Sequence, residues 1–298
     1  MRALLLLAET GAPTPVWTQA VRRAAAAVRK DERLAVLLTG PAVEGVGKPD
    51  AGTLAAMAHF FKAASLGGGA RVDAVPLLPC AGWSFEQAAA LADAVVGDED
   101  DRDRAVDARK RQGIEGVLDV VAPAELPVSD GGGEPDGSLA EYNRGPITHA
   151  VLAVGGTFDR LHAGHRLLLS AAAVCCTSKV LMGIAADALL ANKADGALIA
   201  PYDARVASAK SYLELVRPGL AVEVSALVDP KEPPKAATDP ECTGLVVSLE
   251  TVEGGRAVQH MRSCEPPLQL VVVGLVGGDG DGKLSSTALR AEDRRQSL

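Results

Sequence analysis

Val151-Leu152-Ala153-Val154-Gly155-Gly156-Thr157-Phe158-Asp159-Arg160-Leu161-His162-Ala163-Gly164-His165 is an apolar, strand-like run that enters two glycines and leaves through two histidines. An apolar helical segment follows and contains Ser170–Cys176. Strand, glycine turn and helix amino terminus together form an anion site. Glycines let a phosphate approach the backbone closely, and the unbonded N–H groups and dipole of the helix favour negative charge there. His162 and His165 stand three residues apart, so both imidazoles face that spot from the first helical turn. A Gly-Gly alone is an ordinary turn, and a lone histidine is usually a satisfied polar residue. In this order, between strand and helix, the run Gly155 to His165 is a signature. A zinc site is not expected, because H-x-x-H lacks the i, i+4 spacing and glutamate of helical zinc motifs and no third ligand lies nearby.

Outward from this stretch, apolar runs at Ala150–Val154, Val180–Ala185, Ala221–Val228, Leu245–Val247 and Leu268–Val276 are separated by helical segments, which predicts a buried parallel sheet. Pro201 suits a first helical turn, and Tyr202–Val216 carries that helix on. Asp229 to Thr243 holds Pro230, Pro233, Pro234 and Pro240 and is expected to be a surface loop without a regular element. In the first half, strand-like runs at Ala3–Leu7, Leu34–Thr39 and Val72–Leu78 alternate with helix-like runs at Trp17–Arg29, Thr53–Ala64 and Phe85–Val96. That is the rhythm of βαβ units. The charged run Asp98 to Arg104 reads as a solvated loop or helix face.

Between Pro123 and Pro146 the composition turns to Pro, Gly, Ser and acidic residues, too poor in apolar surface to order itself. The expected organisation is therefore an α/β amino-terminal domain over 1–122, a linker over 123–146 and a second domain over 147–298. The fold class is α/β, a Rossmann-like parallel sheet preceded by a second, smaller α/β domain.

The chain has 298 residues, 48% hydrophobic and only 3% aromatic, so its cores must be filled by Ala, Val and Leu. A net charge of −8 argues against nucleic acid as the main partner, since polymer binding releases counterions from a basic surface. A small anionic ligand needs only a local cationic pocket. Cys80, Cys175, Cys176, Cys242 and Cys264 are odd in number and form no C-x-x-C pair, which suits buried thiols in a reducing compartment. Met1 to Ala8 superficially resembles a leader, but its apolar run stops at Glu9 and reads better as a first strand. No run of 18 uncharged apolar residues exists, so no membrane span is expected. A cytoplasmic location is the expectation; Arg22, Arg23 and Arg29 on an Ala-rich helix leave an organellar one open.

Gly155 through His165 resembles the signature of the HxGH nucleotidyltransferase superfamily, and GGTFDRLHAGH is similar to the eukaryotic type of the phosphopantetheine adenylyltransferase family. The bacterial type usually has proline in place of Arg160 and threonine in place of His162. Three further stretches agree, in the family's order. Lys193 follows Ala188-Leu189-Leu190-Ala191-Asn192; Val247-Ser248-Leu249-Glu250-Thr251 precedes Gly254-Gly255; and Lys283-Leu284-Ser285-Ser286-Thr287-Ala288-Leu289-Arg290 resembles the Ile-Ser-Ser-Thr-x-x-Arg motif. One departure is Ala185-Ala186-Asp187, where an Asp-Lys pair is common in related sequences. Residues 1–122 resemble only loosely the extension of the eukaryotic enzymes.

The resemblance implies transfer of AMP from ATP to the phosphate of 4′-phosphopantetheine, giving dephospho-coenzyme A and pyrophosphate. It implies ATP contacts from Gly155, Gly156, Thr157, Phe158, His162, His165, Ser285, Ser286, Thr287 and Arg290. The catalytic set would be His165, His162, Lys193 and Arg290, and the acceptor would be held by Thr157, Lys193, Glu250 and Thr251. Mg²⁺ is expected to arrive with ATP, not in a protein cage, since no carboxylate cluster accompanies the motif. Plainer roles exist for some of these groups. Ser285 to Thr287 would cap a helix, Arg290 would suit a surface, and Glu250 and Thr251 would suit a loop.

Three other readings are distinguishable. Gly277-Gly278-Asp279-Gly280-Asp281-Gly282-Lys283-Leu284 nearly satisfies the P-loop pattern of a kinase or NTPase, but Leu284 lacks the Mg²⁺-binding hydroxyl. Another phosphorylated acceptor, such as nicotinamide mononucleotide, would use the same signature. A non-catalytic regulatory subunit would be expected to have lost it.

Overall fold

The computed structural model describes residues 1–10, 14–44, 48–69, 71–126, 138–190, 196–276 and 286–296. It divides into two compact units, Met1–Glu134 and Pro135–Leu298.

The first unit runs β1 (Arg2–Glu9), α1 (Thr14–Ala27), β2 (Glu32–Thr39), α2 (Ala51–Gly68), β3 (Ala74–Leu77), α3 (Phe85–Leu91), β4 (Ala94–Val96), α4 (Glu99–Arg111) and β5 (Asp119–Val121). Its strands are parallel in the order β3-β2-β1-β4-β5. Leu4, Leu5, Leu34, Val36, Leu38, Val75 and Val95 are buried within it, as aliphatic strands covered on both faces must be. Asp50 caps α2 in a reciprocal capping box with Thr53, satisfying two otherwise unpaired amides. At the other end of α2 a Cβ on Gly67 would stand 2.0 Å from the carbonyl oxygen of Arg22, so only glycine lets α1 and α2 approach this closely. The charged run is the head of α4. Asp98 is its N-cap, acidic residues fill its first turn and Arg109, Lys110 and Arg111 its last, which matches the helix dipole at both ends.

Phe85–Val96, expected as one helix, is instead α3 followed by the interior strand β4, between β1 and β5. The break falls at Ala92-Asp93, where the Asp93 carboxylate accepts from the Ala3 amide at 2.8 Å and so ties the start of β4 to β1.

The second unit runs α5 (Ser138–Tyr142), β6 (His149–Gly156), α6 (Ala163–Cys175), β7 (Cys176–Ala185), α7 (Asp187–Leu190), α8 (Tyr202–Val216), β8 (Ala221–Leu227), α9 (Lys235–Thr238), β9 (Cys242–Ser248), α10 (Val252–Met261), β10 (Gln269–Val273) and α11 (Ser286–Gln296). Its parallel sheet has the order β10-β9-β6-β7-β8. The chain winds from β6 toward β8 on one side and resumes at β9 on the other, which makes the gap between β6 and β9 the switch point where such sheets take their ligands. Val151, Ala153, Leu245, Val247 and Val272 pack with Ala236 of α9 and Val252 of α10. Leu167, Ala171, Leu213 and Val216 bury α6 and α8, which are joined by a hydrogen bond of 3.0 Å between the Ser170 and Tyr212 hydroxyls.

Two expectations change here. Gly155 and Gly156 do not form a turn; they are the last residues of β6, paired with Gly183 and Ile184 of β7. The proline-rich stretch 229–243 does hold a helical turn, α9, because Pro234 sits at its N-cap, where a missing N–H costs nothing. Within 123–146, α5 is ordered against the sheet, with the Asn143 side chain donating to the Val272 carbonyl and accepting from its amide, each at 2.9 Å. All five cysteines are free thiols, and all but Cys264 are buried. No helix among the described residues is long and apolar enough to cross a membrane.

Candidate active site

The site is built where β6 ends. Beyond Gly156 the backbone turns through Phe158 and Arg160, both left-handed at φ 50° and 46° although neither is glycine. Such residues cost roughly 1–3 kcal/mol each and persist only where their surroundings fix them. Here they are fixed. The Phe158 ring is 1% exposed and lies against His165 at 5.6 Å between ring centroids, while a Cβ on Gly156 would meet that ring at 3.2 Å. A side chain at 156 would therefore press on the Phe158 ring and ask it to shift by a few tenths of an ångström.

Between the two left-handed residues, the Asp159 side chain is wholly buried. Its carboxylate accepts from Arg160 Nη1 at 3.0 and 2.9 Å, from Arg290 Nη1 at 3.0 Å and from the Ala200 amide at 3.2 Å. Arg160 also donates to Asp293 at 2.6 Å and to the Leu198 carbonyl at 2.7 Å. The Ser286 hydroxyl donates to the Asp159 carbonyl at 2.6 Å. Ser286, Arg290 and Asp293 stand at i, i+4 and i+7, so one face of α11 is clamped onto the turn.

His162 is the N-cap of α6, and its Nδ1 accepts from the Gly164 amide at 3.2 Å. That bond leaves Nε2 as the protonated nitrogen of the neutral ring, available as a donor. The His162 and His165 rings are stacked, with centroids 4.0 Å apart at 26°. Burial, and then Arg166, push the His162 pKa down to about 4, against an opposing pull from Glu250. Burial, and then His162, push His165 down to about 3, with the Arg160 backbone and Asp159 opposing. Both imidazoles are neutral at pH 7 before a ligand arrives. Each therefore carries a single N–H, in a desolvated position where a hydrogen bond is strong, and on His162 that N–H is the Nε2 one.

The structure brings together Gly155, Gly156, Thr157, Phe158, His162 and His165 at the end of β6, with Glu250 of β9's following turn near enough to act on His162. Thr251 is employed locally: its hydroxyl accepts from the Ser248 amide at 3.0 Å and donates to the Ser248 carbonyl at 3.2 Å. Arg290, read as a phosphate contact or a surface residue, is 3% exposed and turned onto Asp159. Ser286 is likewise turned inward. Lys193, Ser285 and the P-loop-like stretch 277–284 lie outside the described residues, and of Thr287 only its place in α11 is described.

Sequence reading missed Asp159 and Arg205. Asp159 lies inside the motif but carried no assignment, because the α11 partners Ser286 and Arg290 that define its role are more than a hundred residues away. Arg205 is buried in α8, and Nη1 donates to the Thr157 carbonyl at 2.8 Å. A charged residue at a helix position otherwise facing the core was its only signal.

A family model described as cytidylyltransferase-like matches residues 153–291. The phosphopantetheine adenylyltransferase of Saccharomyces cerevisiae is 41% identical over 146 residues, 47% of this chain and 47% of that protein. That of Methanopyrus kandleri is 35% identical over 144 residues, 47% of this chain and 88% of the archaeal protein. An uncharacterized protein of Schizosaccharomyces pombe is 33% identical over 156 residues, 49% of each chain. The matched region spans about half the length of the two fungal relatives and most of the archaeal one.

Proposed function

Because the chain belongs to the cytidylyltransferase-like family, on the branch of the phosphopantetheine adenylyltransferases, we propose that it transfers the adenylyl group of ATP to 4′-phosphopantetheine, a step of coenzyme A synthesis. The acceptor phosphate attacks the α-phosphorus of ATP, the bond to the β-phosphate oxygen breaks, and pyrophosphate leaves. A phosphate is already a competent nucleophile at neutral pH, so the reaction asks for no general base. It asks for two mutually repelling anions to be held in line and for charge on the α-phosphate and leaving group to be stabilised.

The observation that carries this reading is the stacked, neutral His162–His165 pair at the amino end of α6, beside the switch point. Neutral donors there can meet triphosphate oxygens together with the helix amides, and they gain positive charge if the bound anion raises their pKa. His165, the deeper of the two, is assigned to the α-phosphate in the transition state, and His162 to the neighbouring phosphate through Nε2. Gly155, Gly156 and Phe158 shape the cradle. Thr157 and Lys193 are assigned to the acceptor phosphate, with Glu250 and Thr251 bordering the acceptor pocket. Ser285 and Thr287 are assigned to the β- and γ-phosphates. Arg290 and Ser286 act through Asp159, holding the turn that presents Thr157 and the histidines. Mg²⁺ would enter on the triphosphate and shield its charge, the Asp159 carboxylate being already matched by arginines.

The test is pyrophosphate release by the purified chain with ATP and each of two acceptors, 4′-phosphopantetheine and nicotinamide mononucleotide. Dephospho-coenzyme A should form with the first and nothing with the second. No product with phosphopantetheine would overturn the reading.

A further inference from the structure

Arg205 belongs to none of the motifs, yet its guanidinium joins three separate segments. Its side chain is 1% exposed. Nε donates to the Ala200 carbonyl at 2.8 Å, Nη1 to the Thr157 carbonyl at 2.8 Å and Nη2 to the Asp187 carboxylate at 2.6 Å. Asp187 in turn accepts from the Tyr202 amide at 3.3 Å, and the guanidinium lies 5.6 Å from the centroid of the Tyr202 ring. Burying a cation costs several kcal/mol unless its hydrogen bonds are met, so an apolar side chain would fill this place at less cost. What the arginine adds is the planar fork, which fixes several acceptors at once in a set geometry.

Those acceptors are not arbitrary. Thr157 follows the strand that ends in the glycines, Asp187 opens α7, and Ala200 precedes α8. We propose that Arg205 is the positioning residue of the acceptor side: it holds the Thr157 carbonyl, the head of α7 at Asp187 and the approach to α8 at Ala200 in one frame. This rests on Thr157 being an acceptor residue.

The test compares R205K and D187N with the unchanged chain. A lysine at 205 keeps the cation for Asp187 but cannot serve both carbonyls. Expected for R205K is a rise in KM for 4′-phosphopantetheine of about tenfold with KM for ATP within about twofold, the pattern of a lost acceptor-side interaction. Amide exchange at residues 157–160 should become faster, while the far-ultraviolet circular dichroism stays unchanged. D187N, which removes the negative charge of one arm and keeps both carbonyl bonds, should raise the acceptor KM by about threefold. Equal rises in both KM values, or unchanged exchange at 157–160, would overturn the proposal and leave Arg205 a core ion pair. If R205K does not fold, D187N decides it: an unchanged acceptor KM overturns the proposal. If the unchanged chain makes no product from phosphopantetheine, the functional reading fails, and faster exchange at 157–160 in R205K would still support the frame while unchanged exchange would end it.

Discussion

The two units share one wiring and differ at one strand end. Renumbered within each unit, both sheets have the order 3-2-1-4-5, all parallel, with a switch point beside the first strand. In the first unit that strand, β1, ends at Glu9 and Thr10, and the Thr10 hydroxyl donates to the Thr39 carbonyl at 2.7 Å. In the second it ends in Gly155-Gly156-Thr157, a turn with two left-handed residues, and a helix headed by two stacked imidazoles. The topology supplies a crevice in both. Chemistry enters only where donors, small residues and a braced turn occupy it.

The largest expected effect on this contrast comes from D159N. It leaves Arg160 and Arg290 facing a neutral amide in a buried place, which should destabilise the second unit by about 3–5 kcal/mol. Chemical denaturation followed by hydrogen exchange should show the loss in 135–298 and none in 1–134. A loss common to both units would mean that the brace is not local.

Next comes H165A, expected to lower turnover by about 10²–10³-fold, as for the loss of one transition-state donor, with circular dichroism unchanged. Its counterpart is T10A at the end of β1, for which turnover should stay within about twofold. Comparable losses from the two would erase the distinction between the crevices.

Acid should weigh more on the second unit, although burial lowers His59 of the first as well. The folded-state pKa values of His162 and His165, about 4 and about 3, lie below the ordinary 6.5. The unfolded chain therefore takes up protons first as pH falls. Stability is complete above pH 6.5 and is lost as pH drops toward the folded values, by about 1.4 kcal/mol per pH unit for each histidine that remains neutral. Urea unfolding at pH 7, 5.5 and 4.5 should show this slope, and H165N should remove part of it. The smallest effect is S286A, about 1 kcal/mol for the lost hydrogen bond to the Asp159 carbonyl, read as a modest fall in Tm.

What the sequence discloses follows the range over which its signals act. The β6 strand and the head of α6 are legible because an apolar run, two glycines and two histidines are contiguous. β4 is hidden in Ala88–Val96, since alanine suits a helix and a buried strand alike and the break at Asp93 depends on a bond to Ala3. β5 is three residues long, too short to show alternation. The early start of β7 at Cys176 is masked by the polar Thr177-Ser178-Lys179. In the site, the histidines are legible from local order. The inward turn of Arg290 and Ser286 is not, because each is defined by Asp159 more than 120 positions away. The brace is a product of folding, invisible to spacing.

The most direct test is hydrogen exchange on the full chain with and without ATP. The account predicts protection at 155–166 and around 248–256, with no change at 8–10, 39–44 or 96–101. Protection at the ends of β1 and β4 in the first unit, with none around His162 and His165, would contradict it.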